Sequence, residues 1–131
     1  MAAAESYPDD LKYHREHDWA RIDDDEAILG ITWFAQDALG ELVHFEAPTT
    51  GAHLTAGQSY GEVESVKAVS DVIAPLSGEV LEVNQAVVDA PERVNEDPYG
   101  SGWLVRIRLA DPGEVDSLLG VDAYKQVLAE Q

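Results

Sequence analysis

Lys67 sits in mid-chain in the run "GEVESVKAVSD", residues 61–71, and is one of only three lysines, with Lys12 and Lys125 near the ends. A lysine here admits three chemistries. It can be a solvated surface cation, the usual fate of the residue. It can be a Schiff-base nucleophile, which needs surroundings that lower its pKa; its neighbours Glu64 and Asp71 favour the charged form instead. Or it can be an amine held at a hairpin tip for covalent modification, with Val66 and Ala68 as compact flanks that leave an enzyme's approach open. Composition and spacing leave the first and third readings standing.

Other chemistry finds less support. "HREHD" places His14 and His17 three apart beside Asp18, a metal-ligand spacing on a helix, but the segment reads as strand and turn, where i and i+3 face opposite ways. His44 and His53 stand apart, and no metal site is expected. There is no glycine-rich phosphate loop and no nucleophile elbow. The chain has no cysteine, which excludes disulfides, thiolate metal sites and a cysteine nucleophile.

The elements that must position Lys67 read as mainly β. Residues 1–10 form an acidic, mobile lead-in, and 11–131 a single domain of the length one core can hold. "LKYHREHDWARI" and "EAILGI" read as two strands around the acidic turn at 23–25. "TWFAQDALG" reads as a short helix capped by Thr32, ended by Gly40, with Ala35, Ala38 and Leu39 inward. "ELVHFEAP" alternates, with Leu42, His44 and Glu46 on one face and Val43 and Phe45 on the other. Two extended stretches flank Lys67. "GEVLEVNQAVV" and "WLVRIRL" alternate again. Asp111 and Pro112 open a helical tail. "APTTGAHL" (47–54) and "APLSGEVL" (74–81) echo each other and suggest a sheet sandwich with approximate two-fold symmetry.

The formal net charge is −18, with 26 acidic against 8 basic residues. This argues against nucleic acid and anionic membrane surfaces as partners and favours basic protein partners and a monomer. No apolar run reaches transmembrane length, and the start "MAAAESYPDD" lacks the features of a secretory signal or transit peptide, so a cytoplasmic protein is expected.

"ESVKAVSDVIAPLSGEVLEVN" resembles the lipoyl-lysine motif of the H proteins of the glycine cleavage system. "HDWARI", "LGITWFAQDALGELVHFEAPTTG", "VNEDPYGSGWLVRI" and "DPGEVDSLLGVDAY" resemble further elements of that family, in the same order, over roughly residues 9–125. The resemblance implies a flattened β-barrel or sandwich of lipoyl-domain (barrel-sandwich hybrid) type with a short internal helix and C-terminal helices. It implies a non-catalytic carrier with lipoic acid amide-linked to Lys67. Its expected partners are a pyridoxal-phosphate glycine decarboxylase, a tetrahydrofolate-dependent aminomethyltransferase, dihydrolipoamide dehydrogenase and a lipoyl-attaching enzyme. Glu64 and Gly78 match positions by which that attaching enzyme recognises the hairpin, Gly78 supplying turn flexibility. Asp18 and Asp71 match acidic positions near the cleft where the loaded arm rests.

Three departures accompany the match. Asp18 stands where the family usually has Glu. Trp33 and Phe34 follow Gly-Ile-Thr, where an acid is common. His44 and Ala47 stand where bulkier apolar residues are usual. A lipoyl-relay protein serving other dehydrogenase complexes would use the same lysine. A biotinyl carrier is disfavoured, because Val66 and Ala68 replace its flanking methionines.

Overall fold

In the computed structural model, which describes residues 3–131, strands dominate and helices fill the corners. The first strands are β1 (Lys12–His14), β2 (Asp18–Asp23) and β3 (Glu26–Ile31). The stretch expected as one strand at 11–22 is thus broken into an antiparallel hairpin, Tyr13 opposite Trp19. His17 makes the turn with φ of 75°. The acidic turn at Asp24–Asp25 then links β2 to β3.

The helix α1 (Trp33–Leu39) begins and ends where the sequence places it. Thr32 accepts from the Ala35 N–H, and Gly40 closes the helix with φ of 84°. Its buried residue is Gln36, while Ala38 is exposed and Ala35 and Leu39 are half-buried. A polar residue takes the inward place because Asn95 waits there to bond it, as described below.

Next come β4 (Leu42–Glu46), β5 (His53–Leu54), β6 (Ser59–Ser65), β7 (Val69–Ile73) and β8 (Gly78–Val83). Strict alternation fails in β4. An irregularity between Leu42 and His44 lets both Leu42 and Phe45 point inward and leaves Val43 and His44 outside. "NQAVV" leaves the strand and becomes α2 (Gln85–Asp89), because the Asn84 side chain caps the Ala86 N–H. A further short helix, α3 (Arg93–Glu96), precedes β9 (Val105–Leu109). Neither α2 nor α3 is anticipated by the alternating pattern. Asp111 caps a 3-10 turn at Pro112–Ser117, and α4 (Val121–Ala129) ends the chain.

The strands form two sheets. One has six strands in the order β1-β2-β3-β9-β8-β5; the other has three, β4-β6-β7. The main core lies between them, with Ala20, Leu29, Leu42, Phe45, Val63, Val72, Val80 and Ile107 all buried. A second, aromatic cluster of Leu11, Tyr13, Trp19, Tyr99 and Tyr124 forms separately. There Tyr13 stacks on Tyr124 with ring centroids 4.7 Å apart. A Cβ on Gly30 would lie 2.5 Å from the Trp19 ring, so only glycine lets that indole lie flat on the sheet. The echoing segments 47–54 and 74–81 pair with each other: Leu54 stands opposite Gly78, and Gly51 N–H donates to Val80 O. The repeat is therefore a local two-fold about one antiparallel pairing.

Of the residues expected as a lead-in, the first two lie outside the described residues, and three of the others bond to the body. The Ala3 carbonyl accepts from Trp33 Nε1, Ser6 carbonyl from the Tyr99 hydroxyl, and Pro8 carbonyl from the Tyr13 hydroxyl.

Candidate functional site

Strands β6 and β7 run out to a three-residue turn, Val66–Ala68, and Lys67 is its middle residue, exposed to solvent. The turn is braced from within. The Ser65 N–H donates to Ala68 O at 2.8 Å. Its hydroxyl receives the N–H groups of Lys67 and Ala68 at 3.3 and 3.2 Å. Ser65 is itself buried, 4% exposed, so these bonds are shielded from water. The result is a fixed backbone carrying a free amine at its tip.

The lysine side chain leans toward the end of α1, where a Cβ added to Gly40 would meet Lys67 Cε at 3.5 Å. That ground is pinned by Asn95. Its amide donates to Gln36 Oε1 and to the Gly40 carbonyl, and its oxygen accepts from the Leu42 N–H at 2.9 Å. Both donors and the oxygen of this buried side chain are engaged in joining the end of α1 to the start of β4. Asp37, Glu41, Glu92 and Glu96 surround an open hollow beside it.

The other expected site residues fall into different surroundings. Glu64 lies exposed on the outer face of β6, between His44 on β4 and Val69 on β7. Asp71 is likewise exposed on β7, and its carboxylate accepts from Ser59 Oγ at 3.3 Å. Asp18 is not beside it on an open surface: it is 1% exposed, its side chain on the inner side of β2. Neither of its carboxylate oxygens has a well-formed hydrogen bond, and the buried Tyr60 hydroxyl also lacks one. Burial drives the Asp18 carboxyl well above the usual carboxylate range, against the opposing pull of the Ile73 backbone. Burial, and secondarily the neighbouring Asp18, push the Tyr60 phenol up as well.

Gly78 has a structural reason different from turn flexibility. It begins β8 in the six-stranded sheet without a positive φ. A Cβ there would sit 2.3 Å from the Arg108 carbonyl and 3.0 Å from Ile107 Cδ1, so the position permits close approach of β8 to β9.

Three residues of this region were not singled out from sequence. Ser65 was legible in principle: with Glu62 and Glu64 outward and Val63 inward, Ser65 falls in the inward phase, where a polar residue needs a partner. Asn95 gave no such signal, since its partners come from distant parts of the chain, and neither did Tyr60, whose hydroxyl has no partner. Among the described residues no group of three or more His, Asp or Glu side chains gathers as a metal site, and no helix is long and apolar enough to cross a membrane.

Comparisons with known proteins agree with this architecture. A family model described as glycine cleavage H-protein matches residues 11–131. The chain is 49% identical over 124 residues to the glycine cleavage system H protein of Carboxydothermus hydrogenoformans, covering 95% of each chain. It is 52% identical over 118 residues to the probable glycine cleavage system H protein of Haloarcula marismortui, covering 90% of this chain and 93% of that one. The crystal structure of a glycine cleavage system H protein from Mycobacterium marinum superposes with a TM-score of 0.87 at 42% identity, covering 94% of this chain and 99% of that one.

Proposed function

The chain belongs to the glycine cleavage H-protein family, and from that premise we propose that Lys67 carries a lipoyl group in amide linkage and serves as the tether of a swinging arm. The observation that carries this reading is the exposed amine at the middle of a turn braced by a buried serine. The residues present fit the group. The turn offers the Lys67 amine to an attaching enzyme with no bulky flank. The amide removes the lysine charge and leaves a long, mostly apolar arm. The lipoyl ring supplies a disulfide–dithiol couple, and with no cysteine in the chain no protein thiol competes for exchange with it.

The protein's own part is to present and release. It is a carrier and not itself a catalyst: the partners are the glycine decarboxylase that loads an aminomethyl group, the tetrahydrofolate-dependent aminomethyltransferase that removes it, and dihydrolipoamide dehydrogenase. Tethering keeps the arm at high effective concentration once a partner docks. The fixed Ser65 turn makes the reach of the arm reproducible. Glu64, outward and three residues before Lys67, is a recognition contact for the attaching enzyme. Gly78 acts at a distance, by letting β8 and β9 close. Asp71 and Asp18 are the carboxylates that would hold the amine of the loaded arm, Asp71 from the surface and Asp18 only after the inner space beside Tyr60 opens.

The test is the intact mass of the protein and of its Lys67 peptide after incubation with a lipoate ligase, lipoic acid and ATP. We expect one lipoyl increment on that peptide and none in Lys67→Arg. A folded wild-type protein that stays unmodified would overturn the reading.

A further inference from the structure

The outer face of the three-stranded sheet carries two features that a merely solvated surface would not combine. The first is a row of like charges. Glu46 on β4 stands directly opposite Glu62 on β6, and Glu62 directly opposite Asp71 on β7. All three are exposed. Side chains in such positions come within about 5 Å of each other, so three carboxylates in line repel. The relief on hand is slight: His44 Nε2 lies 3.8 Å from Glu46, and Ser59 Oγ donates to Asp71.

The second feature is apolar. Val43, Val66 and Val69 are the large hydrophobic side chains left exposed among the described residues, at 51%, 88% and 58%. They lie at one end of this same sheet: Val69 is opposite Glu64, Val43 follows Leu42, which faces Ser65, and Val66 sits in the turn beside Lys67. An apolar end and an acidic row therefore share one face, with the tether lysine at its tip.

We propose that this face is the docking surface for the enzymes that must reach Lys67, and that their matching surface is an apolar patch bordered by lysine and arginine side chains. The inference rests on the carrier reading and deepens it by assigning the face and the chemistry of its partner. Charge complementarity selects the occupant. A second copy of this chain, itself at −18, would set one acidic row against another. A basic partner relieves the repulsion within the row and gains the valines as desolvated contacts.

The experiment titrates the lipoate-treated protein with purified aminomethyltransferase at several salt concentrations. It compares the wild type with E46Q/E62Q/D71N, with V43S/V69S, and with D23N/D24N/D25N, which removes three charges from the β2–β3 turn. We expect E46Q/E62Q/D71N to weaken binding on the order of tenfold and to flatten its salt dependence. V43S/V69S should weaken it with the salt dependence kept, and D23N/D24N/D25N should bind as the wild type does. Equal weakening by both charge variants, no weakening by the sheet variants, no binding at all, or self-association lost on E46Q/E62Q/D71N would each overturn the proposal. The mass of the Lys67 peptide is read on the same samples. An unmodified lysine with binding lost only in the sheet variants would sink the lipoyl reading and leave the docking face standing.

Discussion

The two sheets treat charge on their outer faces in opposite ways. On the six-stranded sheet, Arg106 on β9 lies between acids of both neighbouring strands, 2.7 Å from Glu26 and 3.2 Å from Glu82, and Arg108 lies 3.8 Å from Glu79. The two acids beside Arg106 hold its guanidinium above its usual pKa. On the three-stranded sheet the corresponding row is Glu46, Glu62 and Asp71, acid against acid against acid. One face completes its electrostatics within the chain; the other leaves them incomplete. The same molecule thus shows what a sheet looks like when it answers only to its own stability, and what it looks like when its outer face is kept for something else.

The contrast can be broken most forcefully through the backbone. A Cβ at Gly78 would meet the Arg108 carbonyl at 2.3 Å, and one at Gly61 would meet the Glu46 carbonyl at 2.4 Å. Gly78→Ala and Gly61→Ala should each cost about 1–3 kcal/mol in urea unfolding. Gly78→Ala should damage the fold as a whole, because β8 is flanked on both sides. Gly61→Ala should in addition disturb the Lys67 hairpin, seen as lost amide protection at Ser65 and Ala68. Equal effects on that hairpin would mean that the two sheets are not separable in this way.

Asp18 tests the boundary between the sheets. It belongs to the large sheet, and its carboxyl is buried in the space it shares with Tyr60 of the small one. Its folded pKa is raised, so the native state holds this proton more tightly than the unfolded chain does. Its contribution therefore favours folding below the unfolded carboxylate pKa of about 4 and falls away as pH rises from there through the folded value. Asp18→Asn should raise Tm at neutral pH and flatten the decline of stability as pH rises above about 4. A variant with an unchanged slope would show that the carboxyl reaches water.

The smallest effects come from the outer faces themselves, and they have opposite signs. Arg106→Ala should lower stability by about 0.5–1 kcal/mol, less at high salt, the modest worth of partly exposed ion pairs. E46Q/E62Q/D71N should raise Tm by about 2 °C. If both changes destabilise, the acidic row is satisfied in some way its register does not show.

Much of this was legible before the fold. The hairpin around Lys67, the strand at 105–109, and the caps Thr32 and Asp111 all rest on local chemistry, and local chemistry is what a sequence states directly. What escaped depends on partners far away in the chain. Leu42 and Phe45 share an inward face because β4 is irregular where it pairs with β6. Gln36 turns inward because Asn95, 59 residues later, bonds it. "NQAVV" reads as the continuation of the alternating run "GEVLEV", yet Asn84 is drawn onto the carbonyls of Ser101 and Trp103 and starts a helix there. At the site the lysine announced itself. The reason for Gly78 did not, since it lies in the neighbouring strand.

The aromatic cluster has a consequence for optical work. All three tryptophans, Trp19, Trp33 and Trp103, belong to or pack against the cluster around Tyr13 and Tyr124, and none lies in the Lys67 hairpin. Intrinsic indole fluorescence thus reports first on the state of that aromatic cluster. A single indole placed at Val66, already open to solvent, would give the hairpin its own emission beside that of the aromatic cluster.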